Sequence, residues 1–299
     1  MKRNYLIAIA SFLILTLIFS SAKKDENAEQ EDVISQGSKV VAVPIPSQIN
    51  FAGEQVALDK FEVKERLDRE LLVNSYWQSN SLLMIKRSKR AFEIIEPILA
   101  EYDVPEDFKY LAVAESGLLN VTSSAGAKGV WQFMQSTAKS YNLEVNGEVD
   151  ERLHLEKSTI AACQYLKEAH TRFGSWTLAA AAYNRGPAGV ERDLKKQQVG
   201  DYFDLHLNTE TSRYVLRILA LKTIFENQTS YGIHLKNEDY YGSISTINVV
   251  VDSSINNIAE YALQLGTNYH VLKSLNPWLK SNELTVVNKT YTIKAPLVN

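Results

Sequence analysis

The residues best suited to catalysis lie within Ala112–Met134, and Glu115 is at their centre. Glu115 follows Phe108 and Leu111 at helical spacing, which predicts that its carboxyl group lies on the apolar, core-facing side of a helix. Gly117 is expected to end that helix. Because burial disfavours the charged form of a carboxyl group, the pKa of Glu115 should be raised, as a general acid requires.

The segment after this helix favours a substrate cleft beside the acid. It contains Ser123, Ser124, Gly126 and Gly129, and such small residues allow a backbone or a ligand to approach closely. A second interpretation stays open at this point, because structural networks also bury carboxyl groups. Glu115 could be a structural residue that a neighbouring Tyr or Arg satisfies.

The composition of the 299-residue sequence is typical of a globular protein, with 45% hydrophobic and 22% charged residues. The net charge of −3 lacks the basic footprint of nucleic-acid-binding proteins, so no nucleic acid partner is expected. The single cysteine, Cys163, lies in a helical pattern and is expected to be a buried apolar residue. The five histidines show no metal-binding spacing, so neither a metal site nor a cofactor is predicted.

Changes in composition divide the sequence into five parts. Residues 1–22 have a basic start and an apolar run, which is typical of a signal peptide or an N-terminal anchor. Export is therefore expected, with possible membrane attachment through residues 5–21. The remaining parts are predicted to be a polar linker (23–59), a helical domain (60–231), a second linker (232–243) and a small strand–helix–helix–strand domain (244–299).

The predicted fold is mainly α, because apolar residues recur at helical intervals through most of the larger domain. Gly186 and Pro187 are expected to form a loop between two of its helices. Helices are predicted within 63–100, after Pro105, and over 130–141, 158–173, 176–183 and 214–225. In the small domain, strands are predicted over 245–251 and 284–293, and helices over 255–265 and 269–275.

Four sequence blocks resemble the signature blocks of soluble-lytic-transglycosylase-type enzymes, which belong to glycoside hydrolase family 23. Their order and spacing are most similar to the membrane-bound D type of murein transglycosylase. The resemblance covers Phe51 to Phe225, and the small domain resembles a LysM domain, a glycan-binding βααβ unit. The blocks are Glu115-Ser116-Gly117, Ser123 to Met134 (SSAGAKGVWQFM), Ala182-Tyr183-Asn184-Arg185-Gly186 and Glu210-Thr211-Ser212-Arg213-Tyr214-Val215.

The resemblance implies a lysozyme-like helical catalytic domain that acts on the glycan strands of peptidoglycan, in the periplasm or cell envelope of a bacterium. No obligate protein partner is implied. Glu115 would be the single catalytic acid, with Tyr214 beside it. The other implied site residues are Ser123, Gln132 and Met134, which would line the saccharide cleft, and Tyr183 and Asn184, which would hold the reacting sugar and its N-acetyl group.

The number of carboxyl groups in the cleft decides between reaction types. Most glycosidases need two, whereas we expect the signature blocks to supply only one. A single carboxyl favours a transglycosylase, in which the C6 hydroxyl of the sugar attacks C1 and leaves a 1,6-anhydro-N-acetylmuramic acid end. A hydrolytic muramidase stays open if Glu148, Asp150 or Asp193 can orient water. A catalytically inactive peptidoglycan-binding protein is a further alternative.

Overall fold

The computed structural model describes residues 41–297. The predictions for residues 1–22, and for the linker up to residue 40, lie outside the described residues. Within 41–297, none of the helices combines the length and the apolar composition that crossing a membrane requires.

The chain is mainly α-helical, as predicted. Two short paired strands, β1 (Asn50–Phe51) and β2 (Glu54–Gln55), come first. The helices of the larger unit are α1 (Phe61–Tyr76), α2 (Gln78–Glu101), α3 (Lys109–Ser116), α4 (Gln135–Ser140), α5 (Leu155–Phe173), α6 (Trp176–Arg185), α7 (Pro187–Gln197) and α8 (Thr209–Glu226). The C-terminal part consists of β3 (Thr246–Val251), α9 (Ile258–Gln264), α10 (Tyr269–Leu275) and β4 (Tyr291–Pro296), and β3 pairs antiparallel with β4.

Helix α8 organises the larger unit. Its side chains from Tyr214 to Phe225 are buried on nearly every side, as expected of a helix that other helices surround. It packs against α1, α3 and α6. The side-chain oxygen of Asn208 caps its first turn by accepting the Thr211 N–H at 2.9 Å. The position of α8 therefore fixes the elements that carry the site.

Helix α3 ends where the sequence predicts. A 3-10 turn over Glu106–Phe108 leads into it. Gly117 closes it in the left-handed conformation, with a φ of 59° and its N–H bonded to the Val113 carbonyl at 2.8 Å. Glu115 is consequently in the last turn of α3, next to the segment that leaves the helix.

The helix predicted over 130–141 is confirmed only from Gln135 onward. Before that residue, Lys128 and Phe133 are joined by two backbone hydrogen bonds of 3.0 and 3.1 Å, and Gln132 has a φ of 50°. These bonds use backbone groups that a helix would need for its own hydrogen bonds. Residues 123–134, here called the cleft loop, therefore form a tight loop despite the spacing of their apolar residues.

A loop was predicted at Gly186 and Pro187. The prediction is wrong for Pro187, which is the first residue of α7. Gly186, with a φ of 78°, is the single residue between α6 and α7. Proline is well tolerated at the first position of a helix, because the N–H that it lacks would have no partner within the helix there.

The polar linker predicted over 23–59 ends earlier than residue 59. Phe51 is fully buried in the core of the helical unit. The Glu54 carboxylate accepts the Thr177 N–H at 2.9 Å, at the N-terminus of α6, where a negative charge is favourable. The segment that contains β1 and β2 therefore belongs to the folded unit.

The C-terminal part, residues 244–297, is called the C-terminal module below. Its strands and helices enclose a small apolar core, and Val149 of the helical unit is buried in that same core. The Asp150 N–H donates to the Trp278 carbonyl at 2.9 Å. The module therefore packs directly on the segment that precedes α5.

Two glycines of the cleft loop provide a matched test of how closely that loop packs against the backbone of Arg152. Gly126 and Gly129 both have positive φ, at 88° and 85°. A Cβ at Gly129 would lie 1.9 Å from the Arg152 carbonyl oxygen, whereas Gly126 has open space around it. We expect Gly126→Ala to lower the free energy of unfolding by about 1–2 kcal/mol, from backbone strain alone. Gly129→Ala should lower it by more than about 3 kcal/mol.

Equilibrium unfolding in urea measures both values. Equal losses in the two variants would mean that the cleft loop moves away from Arg152 at little cost.

Candidate active site

The carboxyl group of Glu115 points from the last turn of α3 toward α8. Its Oε1 accepts a hydrogen bond from the Tyr214 hydroxyl, and the side chain remains partly accessible. Burial raises the pKa of Glu115 to about 7. The hydrogen bond from Tyr214 and the positive charge of Arg217 act in the opposite direction, and the negative charge of Glu210 adds to the rise. At neutral pH such a group can both give and take a proton, as acid–base catalysis requires.

Two tyrosines lie near this acid, Tyr214, which is buried, and Tyr183, which is partly buried. Burial, and then the charge of Glu115, raise the pKa of Tyr214 and of Tyr183 well above the ordinary value. Both hydroxyls therefore remain protonated and can act as donors. Tyr214 donates to Glu115, while Tyr183 donates to the Trp131 carbonyl at 2.7 Å. Tyr183 thus ties α6 to the cleft loop as well as lying near the acid.

The cleft loop is held against the end of α3. The Ser116 hydroxyl donates to the Val130 carbonyl at 2.8 Å. The Gln132 side chain donates to the carbonyls of Gly129 and Val121, at 2.7 and 3.0 Å. These bonds keep the loop beside the residue that follows Glu115, so the loop forms one wall of the site.

Ser123 and Met134 mark the two ends of the cleft loop. The Ser123 hydroxyl accepts the Ala127 N–H at 3.0 Å, and the Ser123 N–H donates to the Ala127 carbonyl at 2.9 Å. Ser123 therefore closes a turn within the loop. Met134 is 43% exposed, so its thioether side chain offers apolar surface at the point where the loop enters α4.

Asn184 lies at the end of α6, and hydrogen bonds to both its amide nitrogen and its amide oxygen orient its side chain. Its Nδ2 donates to Glu210 Oε1 at 3.3 Å, and its Oδ1 accepts from Thr211 Oγ1 at 3.0 Å. Both partners belong to the first turn of α8. The structure therefore places Tyr214 and Tyr183 near Glu115, and it links Asn184 to the first turn of α8.

The signature blocks were expected to supply a single carboxyl in the cleft, and the fourth block adds a second carboxyl that acts on Glu115. Glu210 belongs to the fourth block, and its charge acts on Glu115. It lies four residues before Tyr214, one helical turn away on α8, so this spacing is the signal that identifies it. Arg217, which follows Tyr214 by three residues on the same helix, also acts on Glu115, although no sequence pattern indicates it.

Arg217 is part of a charge network around the buried Glu70, next to the site. Glu70 of α1 is 1% exposed, and one of its oxygens accepts from Arg213 Nε at 2.6 Å. Arg217 Nε lies 3.7 Å from the other oxygen of Glu70. A buried carboxylate with arginine partners fixes the rotation of α8 relative to α1.

The three carboxylates considered as water-orienting groups are engaged elsewhere. Asp150 forms two hydrogen bonds of 2.8 Å with Arg152. Asp193 pairs with Arg185 at 3.2 Å. Glu148 accepts two hydrogen bonds from Thr285 of the C-terminal module, at 2.6 and 2.9 Å. The effects resolved on the pKa of Glu115 include none from these three carboxylates.

Comparison with known proteins shows which domain families two regions of the chain match. Residues 93–205 match the protein-family model of the transglycosylase SLT domain. Residues 247–299 match that of the soluble lytic transglycosylase C-terminal LysM-like domain. A region similar to an SLT domain is thus followed by a region similar to a LysM-like domain. The family resemblance drawn from the four blocks is confirmed.

The relatives of this chain include membrane-bound lytic murein transglycosylase D from two Escherichia coli strains. Each is 27% identical over 252 residues, which is 81% of this chain and 54% of the relative. This chain thus spans about half the length of those relatives. The similarity to the membrane-bound D type is also as expected.

Two solved structures are similar to about half of the chain. One is an inactive mutant of lytic transglycosylase Slt from Pseudomonas aeruginosa, with 18% identity and a TM-score of 0.37. The other is the 70 kDa soluble lytic transglycosylase of Escherichia coli, with 20% identity and a TM-score of 0.38. Each match covers 50% of this chain and 26% of the solved chain.

The buried acid of the SLT domain should lower stability at high pH. Its pKa is about 7 in the folded chain, above the ordinary value of 4.5. The unfolded chain therefore ionises first as pH rises, and stability is lost from about pH 4.5 upward until the folded group ionises near pH 7. Glu115→Gln removes this loss and keeps an acceptor for Tyr214. We expect equal stability near pH 4 and a gain of about 2–3 kcal/mol for the variant near pH 8.

Urea unfolding at the two pH values measures this difference. Glu168→Gln is the control, because Glu168 accepts a hydrogen bond from Tyr141 at a more exposed site, and this variant should show no such gain. The same stability difference at both pH values would contradict the raised pKa of Glu115.

Proposed function

We propose that this chain is a lytic transglycosylase, which cleaves the β-1,4 bond between N-acetylmuramic acid and N-acetylglucosamine in peptidoglycan without consuming water. The SLT domain and the similarity to a lytic murein transglycosylase support this reaction class. The observation that carries the proposal is the Glu115 carboxyl group. It has a pKa of about 7 and lies beside a glycine-rich cleft loop, with Tyr214 as its hydrogen-bond donor.

The proposed reaction uses Glu115 first as an acid and then as a base. Protonated Glu115 donates to the glycosidic oxygen while the bond from that oxygen to C1 breaks. The N-acetyl carbonyl of the same sugar stabilises the positive charge on C1. Ionised Glu115 then takes the proton of the C6 hydroxyl, whose oxygen bonds to C1. One bond to C1 breaks and another forms, and the acid returns to its protonated state.

The substrate-binding roles are proposed for the residues around this acid. Met134 offers exposed apolar surface to a sugar ring. Asn184, oriented by α8, can exchange its long 3.3 Å contact with Glu210 for a hydrogen bond to the N-acetyl group. Gln132 and Ser123 form hydrogen bonds within or next to the cleft loop. Tyr183 holds the loop in place through its hydrogen bond to the Trp131 carbonyl.

Glu210 is proposed to tune the acid rather than to activate water. The effect of Glu210 that supports this role is electrostatic, because its like charge raises the pKa of Glu115. A second carboxylate of a hydrolytic enzyme would instead need a free oxygen directed at a water molecule on the opposite face of the sugar.

Digestion of purified peptidoglycan tests the reaction. The muropeptides released by the chain should carry 1,6-anhydro ends, which are lighter by one water than reducing ends, as measured by mass spectrometry. Glu115→Gln should bind the glycan and release no product above background, a loss of at least about a hundredfold. Reducing ends in the wild-type digest would instead indicate a hydrolase.

Opposite shifts in the pH profile test the environment of the acid. Tyr214→Phe removes a donor that stabilises the carboxylate, so the pKa of Glu115 should rise. Glu210→Gln removes a like charge, so that pKa should fall. The alkaline limb of the profile of kcat/KM should therefore move up by about half a pH unit or more in the first variant, and down in the second.

The control for this pair is Tyr141→Phe, which removes a tyrosine–carboxylate hydrogen bond away from the acid and should leave the profile unchanged. Shifts of the same sign in Tyr214→Phe and Glu210→Gln would contradict the assignment of their effects.

We also propose that the enzyme works at the cell envelope. The relatives in Escherichia coli are named membrane-bound, and residues 1–22 have the composition of a signal peptide or anchor. The glycan strands of peptidoglycan are the proposed partner of both the SLT domain and the LysM-like domain.

A further inference from the structure

We propose that the C-terminal module supports the active site structurally, an inference that rests on the proposed function. The module binds residues 144–157, here called the docking segment. That segment places Asp150 so that it orients Arg152, and Arg152 holds the cleft loop. Arg152 is thereby a positioning residue for catalysis, although it lies outside the four signature blocks.

The docking segment is bound to the module by backbone as well as side-chain contacts. Trp278 accepts the Asp150 N–H at 2.9 Å, and the Lys280 N–H donates to the Glu148 carbonyl at 2.7 Å. Val149, between these two residues of the segment, is 1% exposed and lies in the core of the module. Such contacts fix the position of the segment, whereas a tethered module would leave it free.

Charged side chains at the edge of this interface reinforce the contact. Lys289 Nζ lies 2.7 Å from each carboxylate oxygen of Glu144, and Lys294 pairs with Glu156. Burial alone would raise the pKa of Glu156, but its contacts with His154 and Lys294 lower that pKa to about 2. Both ends of the docking segment are therefore held by lysines of the module.

Asp150 and Arg152 form a buried pair at the centre of the segment. Asp150 is 0% exposed and Arg152 is 4% exposed. Arg152 donates from Nε and from one Nη to the two oxygens of Asp150, each at 2.8 Å. This two-point contact fixes the plane of the guanidinium group, and the backbone of Asp150 is in turn bonded to Trp278.

The remaining Nη of Arg152 points to the cleft loop. It donates to the carbonyls of Gly126 and Phe133, at 3.2 and 3.3 Å. The Arg152 carbonyl also lies against Gly129, where no Cβ would fit. Arg152 therefore contacts the loop at three points between its two ends, and we infer that the positions of Gln132 and Met134 depend on it.

Three variants of the full chain test this connection. Arg152→Lys keeps the positive charge but loses the planar guanidinium group that binds both oxygens of Asp150. The double variant Thr285→Val with Lys289→Ala changes only the module, and removes bonds to Glu148 and Glu144. Lys167→Ala is the control, because it removes an exposed ion pair with Asp103 on the helical unit.

The first measurement is hydrogen exchange in the cleft loop, which needs no substrate. The amides of Lys128 and Phe133, bonded to each other's carbonyls, should exchange about tenfold faster in Arg152→Lys and in the double variant. They should not change in the control. The amides of α8 serve as the internal reference for global unfolding, and should keep their wild-type rates in every variant.

The second measurement is turnover of a short soluble substrate, a tetrasaccharide of alternating N-acetylglucosamine and N-acetylmuramic acid. We expect kcat to fall about tenfold or more in Arg152→Lys and by a smaller factor in the double variant, because misplaced binding residues act on the transition state. Unchanged loop exchange and unchanged kcat in the double variant, with weaker binding of long strands only, would overturn the proposal. Failure of the proposed function is distinguishable, because the wild-type chain would then form no anhydro product at all.

Discussion

The hydrogen bond from Tyr214 to Glu115 joins α8 to α3 and sets the balance of forces on the acid. Burial favours the neutral carboxyl, while Tyr214 and the charge of Arg217 favour the carboxylate. Burial dominates, because the pKa settles at about 7 instead of 4.5. A shift of that size corresponds to about 3 kcal/mol, which is a large share of the stability of an ordinary domain. Only a firmly packed α8 can hold an acid in this state.

The buried Glu70 explains why Glu115 does not become an ordinary ion pair. Arg213 and Arg217 both approach Glu70, at 2.6 and 3.7 Å, and Arg69 pairs with it as well. The positive charge of α8 is thus directed mainly toward Glu70. Glu115 receives a neutral donor, Tyr214, and only the distant effect of Arg217. A direct arginine partner would lower the pKa of the acid and prevent proton donation at neutral pH.

The sequence predicts the parts of the site that depend on local spacing. The face of α3 that carries Glu115 and the end of that helix at Gly117 are of this kind, whereas Tyr214 was identified by the family resemblance. The path of the cleft loop is not of this kind, because its pairing depends on Arg152, which is distant in sequence and contacts it only in the fold. Glu210 lies four residues before Tyr214, so helical spacing predicts that the two side chains are on the same face of α8. Its effect on the pKa of Glu115 is visible only in the fold.

The LysM-like domain shows the limit of dividing this chain by composition. A domain of that size buries too little apolar surface to be very stable alone, and its core here includes Val149 from outside the domain. The stacking of His154 on Trp278, which in turn stacks on Tyr291, extends this shared core. Because the docking segment is also bonded to the cleft loop, the surface that stabilises the small domain is continuous with the wall of the site. The composition of the sequence changes at residue 244, but the apolar core of the C-terminal module also includes Val149, which lies before that boundary.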